Sequence, residues 1–184
     1  SIACLKLLLE TKEAHLAIDK RDNDGNTPLL DCVRMSNFHE MFRTRNGEAV
    51  QLLLDAGADP DLAVDNGETP LLAAIEGDFI QVVRALLSEE AEAPVRTADP
   101  NKGAPSSSVR QAPLLLAVAR GRVDAAAALL EAGANCAMLV AARPGEPPEN
   151  LIDVARSKRD HAMLQLLVAN EEACDVGLED MEED

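Results

Sequence analysis

Gly67-Glu68-Thr69-Pro70-Leu71-Leu72 packs the start of a helix into six residues. Gly67 permits the positive φ of a tight turn. Thr69 can cap the helix that follows, and Pro70 takes the first helical position, where a missing N–H costs nothing. Seventeen residues beyond Pro70 the triplet Ala85-Leu86-Leu87 closes a second apolar run. The unit is therefore turn, helix, helix. Helices of about ten residues are marginal alone in water, so each unit needs neighbours for burial.

The same signals return along the chain. Gly25-Asn26-Thr27-Pro28 repeats the turn and cap, and Ala112-Pro113-Leu114-Leu115 is a degenerate copy. Leu-rich triplets recur at Leu7-Leu8-Leu9, Leu52-Leu53-Leu54, Ala128-Leu129-Leu130 and Leu166-Leu167-Val168. Two of them precede Ala-Gly-Ala-Asp/Asn, which places Gly57 and Gly133 where a left-handed C-cap belongs. Leu54 and Leu87 are 33 residues apart, and Pro113 and Leu130 are again 17 apart. These residues and spacings resemble the ankyrin repeat, whose period is 33. The resemblance covers about residues 4–169 and implies an all-α ankyrin-repeat solenoid of stacked helix-turn-helix units with finger loops.

Departures from the period locate insertions. Nine extra residues fall around 36–47, ten within 88–111 and five around 138–149. Pro94, Pro100, Pro105 and Ser106-Ser107-Ser108 mark the longest as a loop. The chain then divides into a second helix and finger of a truncated repeat (1–21), a repeat with an insertion between its helices (22–64) and a repeat with a long finger insertion (65–107). A further repeat (108–145), a polar C-terminal capping repeat (146–170) and an acidic tail (171–184) follow. Cys4-Leu5-Lys6-Leu7-Leu8-Leu9 matches a second helix with no first helix before it. The expectation is a fragment of a longer protein, with further repeats or domains upstream.

Composition narrows the function. Lys plus Arg number 17 and Asp plus Glu 33, a net charge of −16, of which the tail supplies half. Such a charge repels duplex nucleic acid and anionic membrane surfaces, so neither is expected as a partner. The longest uncharged run, 132–142, is too short to span a bilayer. Aromatics are only 2%, so the core must be built from Leu, Val and Ala. Cys4, Cys32, Cys136 and Cys174 form no C-x-x-C pair, which reads as reduced thiols in a cytoplasmic protein. No phosphate-loop, dinucleotide, zinc-protease or nucleophile-elbow string occurs. Cys32 with His39 is the one pairing worth weighing, and Cys32 aligns with a small buried position of the first helix. No catalysis, cofactor or metal is expected.

Ankyrin repeats commonly read Thr-Pro-Leu-His, whose His links neighbours by hydrogen bonds. Leu30, Leu72 and Leu115 replace it here, with Asp153 in the last unit, which puts that network in doubt. The resemblance also implies that partners dock against finger tips and the exposed side of the first helices. The finger positions are Asn23, Asp24, Asn26, Asp65, Asn66 and Glu68, and the groove positions Arg34, Met35, Glu76 and Arg120, with Lys158 at the end. Acidic fingers and a mixed groove suit another protein presenting a basic or mixed-charge segment. The function this implies is a non-catalytic scaffold or adaptor. Two alternatives stay open: a substrate-recruiting or regulatory module of a larger enzyme, and a structural subunit of a large assembly.

Within the first insertion, Phe38, Met41 and Phe42 stand at i, i+3 and i+4, one stripe if the stretch is helical. The pair Phe38 and Phe42 is either a binding hot spot or cover for the neighbouring repeat. Cover is the favoured reading, because three such side chains on one stripe do not all face water unbound. In urea melts, Phe38→Ala or Phe42→Ala is therefore expected to cost roughly 3–5 kcal/mol of stability. Two mutants that melt like the parent would make the stripe a binding site instead.

Overall fold

The computed structural model describes residues 2–35, 43–65, 67–88, 97–102, 112–136, 139–140 and 149–175. Its helices are α1 (Ile2–Leu9), α2 (Lys12–Ala17), α3 (Pro28–Met35), α4 (Arg43–Asp55), α5 (Pro70–Glu76), α6 (Ile80–Leu87), α7 (Pro113–Arg120), α8 (Val123–Glu131), α9 (Leu151–Ser157) and α10 (His161–Asp175). Two short strands, β1 (Leu139–Val140) and β2 (Glu149–Asn150), pair antiparallel with Leu139 opposite Asn150. The helices pair as α3 with α4, α5 with α6, α7 with α8 and α9 with α10. First helices form one row, α3-α5-α7-α9, and second helices another, α1-α4-α6-α8-α10. This is an all-α solenoid of stacked helix pairs.

Local chemistry starts each first helix as the sequence requires. Thr69 is extended (φ −98, ψ 161) and its hydroxyl accepts from the Leu72 N–H at 3.2 Å. Thr27 does the same for Leu30, also at 3.2 Å, and both threonines are buried. Buried hydroxyls survive there because each is satisfied. Before α7, Ala112 offers no capping side chain, while Asn150 caps α9 by accepting from the Asp153 N–H at 2.8 Å.

The turn between the helices of a pair shows a second regularity. Asp78, Gly121 and Arg159 all have left-handed φ (60, 68 and 58), and each lies eight residues after the first residue of its first helix. Only Gly121 adopts this conformation without a Cβ penalty.

One core runs through the layers. Leu29, Leu30 and Val33 of α3 are fully buried, as are Val50, Ile75, Val83, Leu86, Ala117, Leu129, Ala155 and Met163. The end layer differs: α1 buries no residue, and Leu5 and Leu9 only lean on the core. Leu7 and Leu8 on α1 and Leu16 on α2 are exposed.

Polar links tie the loops that follow the second helices. Asp19 Oδ1 accepts from the Asp59 N–H (2.9 Å), Asp61 Oδ1 from the Asp99 N–H (3.1 Å) and Asn101 Oδ1 from the Asn135 N–H (2.7 Å). Within a loop, Asp59 receives the Asp61 N–H and Asp99 the Asn101 N–H. The result is a ladder of side chains on backbone that crosses every layer from α2 to α8.

Two elements lie outside the sequence reading. The stretch expected to form only a finger also contains α2, capped by Thr11, whose hydroxyl accepts from the Ala14 N–H at 3.3 Å. His15 fixes α2 to the end of α4, since its Nδ1 lies 3.0 Å from the Ala56 carbonyl. A carbonyl only accepts, so Nδ1 carries the proton. The expectation of four reduced thiols is corrected by the state of Cys136. Cys4 and Cys32 carry thiols, but Cys136 is disulfide-bonded. Sequence spacing misleads here because stacking sets the Cα separation that a disulfide needs.

The shared left-handed position generates a test. Arg159→Gly removes a Cβ from a strained φ and is expected to raise stability by about 1 kcal/mol. Gly121→Ala is expected to lower it by a similar amount, and paired urea melts check both.

Candidate protein-interaction surface

The finger before α3 is organised by one carboxylate. Asp22 Oδ1 accepts from the backbone N–H groups of Asp24 (2.9 Å) and Asn26 (2.8 Å), and the Gly25 N–H returns to the Asp22 carbonyl (3.1 Å). Gly25 at φ +81 makes the bend possible. Asn23 and Asp24 stand exposed at the tip, while Asn26 turns in towards α3.

Arg34 joins this finger to the next. Its Nη1 donates to Asn26 Oδ1 at 2.6 Å and its Nη2 to Glu68 Oε2 on the following finger. A planar guanidinium suits such bridging, since its donors point along fixed directions. Arg21 makes a parallel link, donating from Nη2 to the Ala63 carbonyl at 2.6 Å and standing 3.7 Å from Asp65. Asp65 itself is 98% exposed. Farther along, Glu76 at the end of α5 pairs with Arg120 at the end of α7, and Asp78 with Arg122 (2.9 Å).

Sequence-chosen residues thus fall into three groups. Asn26, Arg34 and Glu68 are brought into one network, Glu76 and Arg120 into a second, and Asn23, Asp24, Asp65, Met35 and Lys158 stand open to solvent. Phe38, Phe42 and Asn66 lie outside the described residues. Residues missed as surface organisers are Arg21, Asp31, Asp78 and Arg122. Their partners lie in other layers or on a neighbouring turn, so no local motif marks them. Asp22 was legible, because Asp followed by Gly within a few residues is a turn signal.

Two groups on α3 have shifted titration. Burial raises the Asp31 carboxyl above the usual carboxylate range, and Asp22 and Asp24 add to this against the opposing pull of Arg34. Burial also pushes the Cys32 thiol up, with the Asp31 charge as a smaller cause. A raised thiol is a poor nucleophile, which fits Cys32 as packing material. On the second-helix row, an open cleft of about 770 Å³ lies between the ends of α6 and α8, lined by Arg84, Leu87, Thr97, Ala128 and Glu131. Among the described residues, no helix is long and apolar enough to cross a membrane.

Two rows of helices, capped starts and paired finger turns recur layer after layer, and a family model described as ankyrin repeats in three copies matches residues 38–139. The chain belongs to the ankyrin repeat family. Ankyrin repeats are generally protein–protein interaction modules and are typically not catalytic. The matched span holds more than half of this ankyrin chain. Curated proteins return no match.

Asp31 yields a pH prediction. Its folded pKa is raised, so the folded state holds the proton more tightly than the unfolded state. Stability from this group is then present below the unfolded pKa and is lost as pH rises through the folded one. Asp31→Asn is expected to raise the urea midpoint at neutral pH and to leave it unchanged in acid, below the ordinary carboxylate range. Melts of parent and mutant at the two pH values check this.

Proposed function

We propose that this ankyrin chain is a non-catalytic scaffold or adaptor that binds another protein through its finger loops and the exposed side of its first helices. The carrying observation is the Arg34 bridge, which holds two successive fingers and the α3 face as one ordered polar surface. A surface ordered before binding loses little conformational freedom on association. The fingers present Asp24, Asp65 and Glu68, so the partner is expected to offer a basic or mixed-charge segment. A stable structural role in a larger assembly is the second reading. It is favoured by the open apolar face of α1 and α2, where Leu7, Leu8 and Leu16 meet solvent.

The test is kinetic. With a partner isolated by affinity capture, the variant carrying Asp24→Asn, Asp65→Asn and Glu68→Gln is expected to associate more slowly than the parent. The difference should shrink as salt rises, because exposed charges are screened over about 10 Å at 0.1 M. Equal association at low salt would remove the fingers from the site.

A further inference from the structure

The surface proposed above has one end where apolar and acidic groups coincide, and the following rests on that surface being used. Asp31, Arg34 and Met35 stand three and four positions apart on α3, so they share one helix face. Leu29, Leu30 and Val33 turn the other way into the core. Arg34 directs its guanidinium to Asn26 and Glu68. With that cation engaged, Asp24 at the finger tip, the half-buried Asp31 beside it and Asp65 on the next finger leave carboxylates open around α3, with Arg21 reaching Asp65 only at 3.7 Å. Met35, 62% exposed, supplies an adaptable apolar contact in their midst.

Later layers do not repeat the combination. Counting from the first residue of each helix, Asp31, Arg34 and Met35 correspond to Ala73 and Glu76 in α5 with Gly77 just past its end, and to Leu116, Ala119 and Arg120 in α7. Acids around an exposed thioether belong to the α3 layer.

We propose that the α3 face with its two flanking fingers docks a partner segment in which lysine or arginine side chains flank a large apolar one. The apolar side chain packs on Met35, and the cations reach Asp24, Asp31 and Asp65. Charge complementarity selects this occupant. An acidic segment meets three carboxylates, and a second copy of a chain carrying −16 repels itself. A guest cation also relieves the crowding of Asp31 by Asp22 and Asp24.

Fluorescence anisotropy with three labelled peptides of equal length tests this on the full 184-residue chain. One peptide combines lysine and leucine, one lysine and serine, and one glutamate and leucine. At physiological salt the lysine–leucine peptide is expected to bind roughly tenfold more tightly than either other, the worth of one seated apolar side chain or of lost charge attraction. Met35→Ser should abolish its advantage over lysine–serine. Asp24→Asn with Asp65→Asn should weaken it about tenfold. Asp124→Asn with Glu131→Gln, which removes two exposed acids from α8, should not change it. Equal binding of lysine–leucine and lysine–serine, equal loss in the α8 variant, or no binding at all would each overturn the proposal. If these fail while the finger amides still slow a natural partner, the recognition surface stands and only this assignment of its guest falls.

Discussion

A pair of short helices cannot hide both of its apolar faces by itself, and burial between successive pairs is the constraint on which everything else here depends. Leu29 and Leu30 of α3 vanish from solvent only because α4 and α5 stand against them. Small side chains allow that approach: Ala74, Ala117, Ala126 and Ala155 are fully buried between helices. The chain also commits to apolar contact where ankyrin repeats commonly place histidine. Leu30, Leu72 and Leu115 occupy that position and are buried. Replacing a polar link by a packed Leu keeps the layers together without any hydrogen bond to satisfy.

Cohesion of that kind is non-directional, so something else must fix how one layer is placed on the next. In this chain the directional contacts sit at both edges of the solenoid. On one edge, Asp19, Asp61 and Asn101 each reach forward to a backbone N–H of the following layer. The carboxylates of Asp19 and Asp61 are charged acceptors and hold an N–H more strongly than the neutral Asn101 amide does. On the other edge, Arg34 to Glu68, Glu76 to Arg120 and Asp78 to Arg122 tie neighbouring turns and fingers. These ion pairs are partly exposed, so each contributes little to stability. The first joins two successive fingers, and the other two join the ends of successive first helices.

How far the sequence could be read follows from the same division. Thr27, Thr69, Pro28, Pro70 and the glycines act within three or four residues of themselves, so caps, turns and helix starts were legible. Periodicity then gave the stacking. The ladder was not legible, because Asp19 meets Asp59 across 40 residues and Asp61 meets Asp99 across 38, with insertions breaking the period between them. Helix α2 escaped for a related reason: its Leu16 is 83% exposed and none of its residues is buried, so it carries no amphipathic signature. Arg34 and Glu68 were both chosen as surface residues, yet only geometry shows that they bind each other.

That last fact changes what the groove can offer. A cation written in the sequence is not a cation available to a guest when a neighbouring layer has engaged it. Arg34 and Arg120 both stand in the groove, and both are held by carboxylates from an adjacent layer. A guest carboxylate would have to displace Glu68 or Glu76, gaining one ion pair and losing another, with little net return. A guest cation meets Asp24 and Asp65, whose charges point to water, and competes with solvent alone or with the loose 3.7 Å contact from Arg21. The internal pairing of the arginines therefore makes the groove more acidic towards a partner than its composition suggests, and it does so most strongly where the two linked fingers meet α3.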